Sequence, residues 1–298
     1  NHAVHTDYLT NENQALPGYF GTPLPELVPY PELNAVQYLV AQGTGNYNGL
    51  GIKLTQKVSK NLTLLAGYTW SRAMSEISAI RGASGDFSPQ NNLCRQCDYA
   101  VADYNVPQRL TMSEIYLLPF GKGQRFLNHG GIVNEIVGGW QNSSIFVMQS
   151  GAPVNLSSGV DDLDNTGYSP DNNRLNCTGV APLVSLNNQT MQYLNPAAFG
   201  NEVNYPGSYQ TEGTCGQNAF NALRWWNWDS SILKDFQVKE SQKLQMRIEM
   251  FNPLNHVAIG GGPSGWGNAT TTPNPTFGLV RGTSTGQRIV QIALKYVF

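Results

Sequence analysis

Lys243-Leu244-Gln245-Met246-Arg247-Ile248-Glu249-Met250-Phe251-Asn252 alternates a charged or amide side chain with an apolar one for eight residues. Successive side chains of an extended strand point to opposite faces, so Leu244, Met246, Ile248 and Met250 share one face and Lys243, Gln245, Arg247 and Glu249 the other. A helix would scatter both classes around its axis. The stretch predicts a strand with one oily and one wet face.

The same period recurs along the chain. Val290, Ile292, Leu294, Tyr296 and Phe298 share a face, opposite Gln287, Gln291 and Lys295 mixed with Ile289, Ala293 and Val297. Leu50, Ile52 and Leu54 alternate with Lys53, Thr55 and Lys57, and Leu62, Leu64, Ala66, Tyr68 and Trp70 with Thr63, Gly67, Thr69 and Ser71. Three further strands carry polar residues in the apolar phase: Glu114 within Arg109–Leu118, Asn142 and Ser144 within Gly138–Ser150, and Ser230 and Lys234 within Asn227–Phe236. Seven strands are predicted.

The connections decide between architectures. They fall at 59–61, 72–108, 119–137, 151–226, 237–242 and 253–286, so long and short ones alternate. In an antiparallel meander, alternate connections share an end, which gives one end of tight turns and one end of long loops. Soluble domains rarely hold several structureless loops beyond about 15 residues. Transmembrane β-barrels have this asymmetry, with short periplasmic turns and long extracellular loops. A ten-residue strand rises about 33 Å and, tilted, crosses an apolar band about 25 Å tall. Tyr68, Trp70, Tyr116, Trp140, Trp228, Phe236 and Tyr296 sit near strand ends, where interfacial girdles belong. The expected fold is all-β: an antiparallel meander of long strands forming part of a transmembrane outer-membrane barrel. A secreted β-sandwich would use shorter strands, with turn signals every 8–12 residues or so.

Composition excludes other classes. The 298 residues are 13% charged with a net charge of −2, which lacks the basic footprint of a nucleic-acid binder. Disorder is excluded by 14 Tyr, 11 Phe and 6 Trp. No apolar run approaches the 18 or so residues of a membrane-spanning helix. The opening at Asn1, in loop-like sequence without Met, is expected of a processed or truncated chain. No Gly-x-Ser-x-Gly elbow, His-Glu-x-x-His motif or phosphate-binding glycine loop is present, so no catalysis and no cofactor or metal are expected.

Several short stretches in order resemble the barrel of TonB-dependent outer-membrane receptors, specifically the Oar-like group, in its C-terminal part. They are Asn46–Leu50, Tyr68–Ser71, Leu118-Pro119-Phe120-Gly121-Lys122-Gly123, Gly138-Gly139-Trp140-Gln141, Gln149–Pro153, Asn195–Phe199, Phe251-Asn252 with Asn255-His256, and Ala293–Phe298. The resemblance covers roughly Tyr30 to Phe298. Glu114 departs from it where a small residue is usual, which puts the register of that strand in question, and Pro253 departs where an apolar residue is usual. The resemblance implies a wall fragment of a larger barrel, with 1–45 an extracellular loop, 46–298 strands and loops, and no plug-like segment. It implies outer-membrane lipid, the barrel-assembly machinery, the TonB complex (through parts this chain lacks) and a small-molecule or glycan ligand as partners. The implied function is energy-dependent uptake of a scarce nutrient such as a siderophore or glycan. A passive channel or structural outer-membrane protein, and a secreted carbohydrate-binding sandwich, are the alternatives.

Ile292, Leu294, Tyr296 and Phe298 form, by that resemblance, the strand the assembly machinery recognises. Trp225, Trp226 and Trp228 close the longest loop; such rings stack on ligands or anchor the outer girdle, and both readings stand. Cys94, Cys97, Cys177 and Cys215 lie in Gly/Asn/Ser-rich stretches and fit disulfides of an oxidising compartment; Cys94–Cys97 and Cys177–Cys215 are the pairs that stay within one loop. Asp161, Asp162, Asp164 and Asp171 read as solvated loop carboxylates, because the twelfth position of the calcium-loop pattern is Asn173.

Overall fold

A computed structural model describes residues 1–14, 26, 28–33, 36–76, 91, 93–156, 174–186, 189–200, 213–260 and 274–298. The acidic group Asp161–Asp171 lies outside them. Eight long strands form one antiparallel meander: β1 (His2–Asn11), β2 (Gln37–Lys57), β3 (Leu62–Ser75), β4 (Gln108–Leu117), β5 (Trp140–Gln149), β6 (Trp225–Lys239), β7 (Gln242–Phe251) and β8 (Ile289–Val297). Every long strand pairs with its neighbour in sequence, in the order β1 to β8.

Register carries one oily face across the sheet. Leu50 lies opposite Trp70, Ile52 opposite Tyr68, Met112 opposite Phe146, Ile248 opposite Ile292 and Met246 opposite Leu294. The opposite face presents Lys53, Thr111, Gln141, Ser231, Arg247, Glu249 and Lys295, interspersed with apolar residues such as Leu65, Ile115, Ile145 and Leu233. Across β6 and β7, Asp235 accepts from Lys243 Nζ at 2.6 Å and Gln245 Nε2 at 2.9 Å on that wet face. Among the described residues the oily side is largely uncovered: Ile52 is 56% exposed, and Ile292 and Leu294 are 66% exposed, while the 118–139 connection lies over it at Lys234. A sandwich would bury that side against a second sheet; this sheet does not.

Glu114 does not disturb the register of β4, which pairs without a shift along both β3 and β5. A larger difference concerns residues 1–45, expected as loop. They contain β1 and the first nine residues of β2, paired from His2↔Asn46 to Asn11↔Gln37. This ribbon extends beyond the oily stretch at Leu50–Leu54, so it has no apolar face to impose a period of two. Its ladder slips twice around His5, which takes a positive φ of 57°. The three connections at the turn end are 58–61, 118–139 and 240–241; those at the loop end are 12–36, 76–107, 150–224 and 252–288.

Candidate functional site

The long loops condense at their end of the sheet. Leu175, Leu194, Phe277 and Val280 are fully buried, and Tyr193, Phe199, Val154 and Leu156 pack with them. Phe199 meets Phe277 edge-on at 5.5 Å and Phe220 at 5.9 Å between ring centroids. The 150–224 and 252–288 connections thus share a core, although neither has an oily periodicity of its own. Gly278 makes this possible. Its carbonyl accepts from Tyr193 N at 2.9 Å and Leu194 N at 3.2 Å. At φ +72° a Cβ there would stand 2.7 Å from Leu194 Cβ, so the close approach needs glycine. Tyr193 donates its hydroxyl to Asn221 O at 2.6 Å, and burial pushes that phenol's pKa up.

Two disulfides tie the cap, Cys177–Cys215 with Cα atoms 4.9 Å apart and Cys94–Cys97 with 5.4 Å. The 76–107 connection is joined to the cap by a buried ion pair, Arg174 to Asp98 at 2.8 Å, and by Asn218 Nδ2 donating to Val101 O at 2.7 Å. Arg95 Nε pairs with Glu76 at 3.2 Å. Tyr8 of β1 is buried beside these groups, and its phenol is held well above the usual range by desolvation and then by the Asp98 and Glu76 carboxylates. A groove of about 340 Å³ opens here between the β1–β2 ribbon and the Cys94 loop, lined by Tyr8, Thr10, Tyr38, Val40, Arg95 and Gln96. Its volume is at the lower end for small-molecule clefts, and its lining combines phenols, amides and one guanidinium. No pattern in the sequence singles it out, because Tyr8 and Arg95 are brought together only by the strand pairing and the loop fold.

The three tryptophans do not form one cluster. Trp226 and Trp228 share the oily phase of β6 with Ile232 and Phe236, whereas Trp225, one residue away, lies on the wet face opposite Gln149. Trp226 stacks on His256 at 3.8 Å and 12°, and its ring lies 5.8 Å from that of Phe146. That is a girdle position at the loop end. Trp225 is the one of the three turned to the polar side. Ile292, Leu294 and Tyr296 stand on the oily face of β8, and Phe298 follows them with 90% exposure. Among the described residues no group of three or more metal-ligating side chains gathers.

No curated protein matches the chain. Among solved structures it is similar to FpvA of P. aeruginosa, in a structure described as FpvA bound to heterologous pyoverdines. The identity is 10%, the TM-score 0.39, and the match covers 98% of this chain and 24% of that one. The chain thus spans about a quarter of the length of that protein. Residues 1–291 match the family model described as an outer membrane beta barrel domain. With its meander of two-faced strands, tight turns at one end and folded loops at the other, the chain belongs to the outer membrane beta-barrel domain family and is a stretch of outer-membrane wall.

Proposed function

We propose that this chain is wall and extracellular cap of a TonB-dependent receptor of the Oar-like group, which takes up a scarce nutrient such as a siderophore or a glycan. One observation carries the reading: a sheet whose wet face is polar joins, at its loop end, a disulfide-tied cap with a groove, while both sheet edges stay open. Among the described residues, Asn48–Lys57 of β2 pair with β3 on one side only, and their other side and the outer edge of β8 have no strand partner. Backbone groups cannot remain unpaired in hydrocarbon, so further strands must complete the wall. A lumen wide enough for a plug belongs to walls of about 22 strands, as in the large outer-membrane transporters. Here β8, with Ile292, Leu294, Tyr296 and Phe298, is the strand offered to the barrel-assembly machinery. The groove beside Tyr8 and Arg95, and Trp225 on the lumenal side, make first contact with ligand. The chain does no chemistry on it. The test is uptake by the complete receptor of a ferric siderophore panel and an oligosaccharide panel, in cells with and without TonB. Accumulation that depends on TonB is expected; equal accumulation in both strains would make the protein a passive channel.

A further inference from the structure

Lys234 is anomalous. It lies in the oily phase of β6, opposite Trp140 on β5 and Met246 on β7, yet it is only 2% exposed. A lysine on the lipid side is costly unless its donors are taken. They are taken by the 118–139 connection at the turn end. Its one helix, α1 (Ile132–Val137), lies over the oily face there. Lys234 Nζ donates to Ile136 O at 3.0 Å, Gly138 O at 2.7 Å and also to Glu135 O. Trp140 Nε1 donates to Ile136 O at 2.9 Å, and the ammonium sits 5.3 Å from the Trp140 ring centroid and 4.8 Å from that of Phe236. A cation at the C-terminal carbonyls is the favourable end of the helix for it.

This clamp fixes what faces outward. Ile132, Val133 and Ile136 share one side of α1, and Ile132 is 80% and Ile136 63% exposed. Phe126 and Leu127 of the same connection are exposed too. Beside these apolar groups stand Lys122 and Arg125, and Lys60 from the neighbouring turn, whose ammonium reaches Gly123 O at 3.4 Å. We infer that the 118–139 connection is a membrane foot: α1 lies against the outer side of the wall, its Ile132/Val133/Ile136 side enters the periplasmic leaflet, and Lys60, Lys122 and Arg125 meet the phospholipid phosphates there. The occupant is phospholipid because α1 stands on the lipid-facing side of β5 and β6, held there through Trp140 and Lys234. The basic rim also falls where an interfacial amphipathic segment places it.

The test uses the complete receptor in nanodiscs of phosphatidylethanolamine and phosphatidylglycerol. Single cysteines carrying nitroxide labels replace Ile132, Ile136, Asn128 and Leu294, four exposed positions, of which Asn128 gives up one bond, its Oδ1 accepting from Gly123 N at 2.7 Å. Collision with oxygen marks lipid, and collision with a water-soluble nickel chelate marks water. Oxygen should dominate at Ile132, Ile136 and Leu294 and the chelate at Asn128, and Lys234→Met should shift the Ile136 label towards the chelate. Lipid at Leu294 with water at Ile132 and Ile136 would overturn the foot alone. Low collision with both reagents at those two sites would also overturn it, by showing a protein partner. Water at Leu294 would overturn the wall and the foot together.

Discussion

Removal of the Cys177–Cys215 bridge should open the extracellular cap while leaving the wall intact. The two cysteines are 38 positions apart, against three for Cys94–Cys97. Chain entropy of the opened state makes the first bridge worth about 4 kcal/mol and the second about 2 kcal/mol. The longer bridge is also the one beside the buried core, since Cys215 N donates to Leu175 O at 2.9 Å and Leu175 is fully buried. Cys177→Ala/Cys215→Ala should therefore raise the population of open cap by about three orders of magnitude, each factor of ten being about 1.4 kcal/mol. Limited proteolysis of intact outer membranes reads this directly, because cleavage of a rapidly closing segment follows the open population. Cleavage confined to the 150–224 and 252–288 connections is expected, at rates well above those for Cys94→Ala/Cys97→Ala. The wall, followed by its resistance to unfolding in cold detergent, should not change. Equal cleavage in the two variants would refute the entropic reasoning. Loss of the wall along with the cap would refute their independence.

Three other outcomes follow from the same contacts. Lys234→Met keeps the hydrocarbon but removes the clamp on α1, and should lower the unfolding free energy in phospholipid vesicles by about 2–4 kcal/mol, measured by urea titration of tryptophan fluorescence. Tyr193, whose folded pKa is raised from an ordinary 10.0, favours the folded cap while the phenol stays protonated. That contribution is complete below pH 10 and is lost as pH rises through the folded value, so the urea midpoint for cap cleavage should fall in that window in the parent and not in Tyr193→Phe. Gly278→Ala, which forces a side chain into a φ of +72° against Leu194, should destabilise the cap by about 1–3 kcal/mol in the same proteolysis assay.

What was legible in the sequence is what two solvents impose on it. Where a strand separates hydrocarbon from water, as in Leu244–Met250 or Leu62–Trp70, side-chain chemistry must alternate, and those strands stand where the alternation puts them. The β1–β2 ribbon separates nothing of the kind, and neither its existence nor its pairing leaves a periodic trace. The cap is invisible for a different reason: Phe199 meets Phe277, and Asp98 meets Arg174, across separations that no local pattern reports. The split of Trp225 from Trp226 and Trp228 was readable in principle, because adjacent strand residues face opposite ways. Grouping them by proximity in sequence hid it.

The polar residues in the oily phase then acquire a common meaning. Asn142 Nδ2 and Ser144 Oγ each donate to Glu114 Oε1 at 3.1 Å, and Ser230 Oγ donates to Asn142 Oδ1 at 2.8 Å. The chain of bonds crosses β4, β5 and β6 at one level. Lys234 is satisfied instead from below, by the carbonyls of α1. In hydrocarbon each of these groups would be prohibitive alone, and none is alone. Their satisfaction depends on register. A slip of β5 by one residue against β4 would carry Asn142 and Ser144 to the wet face and leave the Glu114 carboxyl facing lipid without donors. The apolar residues around them tolerate many pairings, since one oily contact resembles another. The seam tolerates fewer. Glu114, the residue that breaks the period of β4, is thus the one whose hydrogen bonds select the pairing in which β4 and β5 meet.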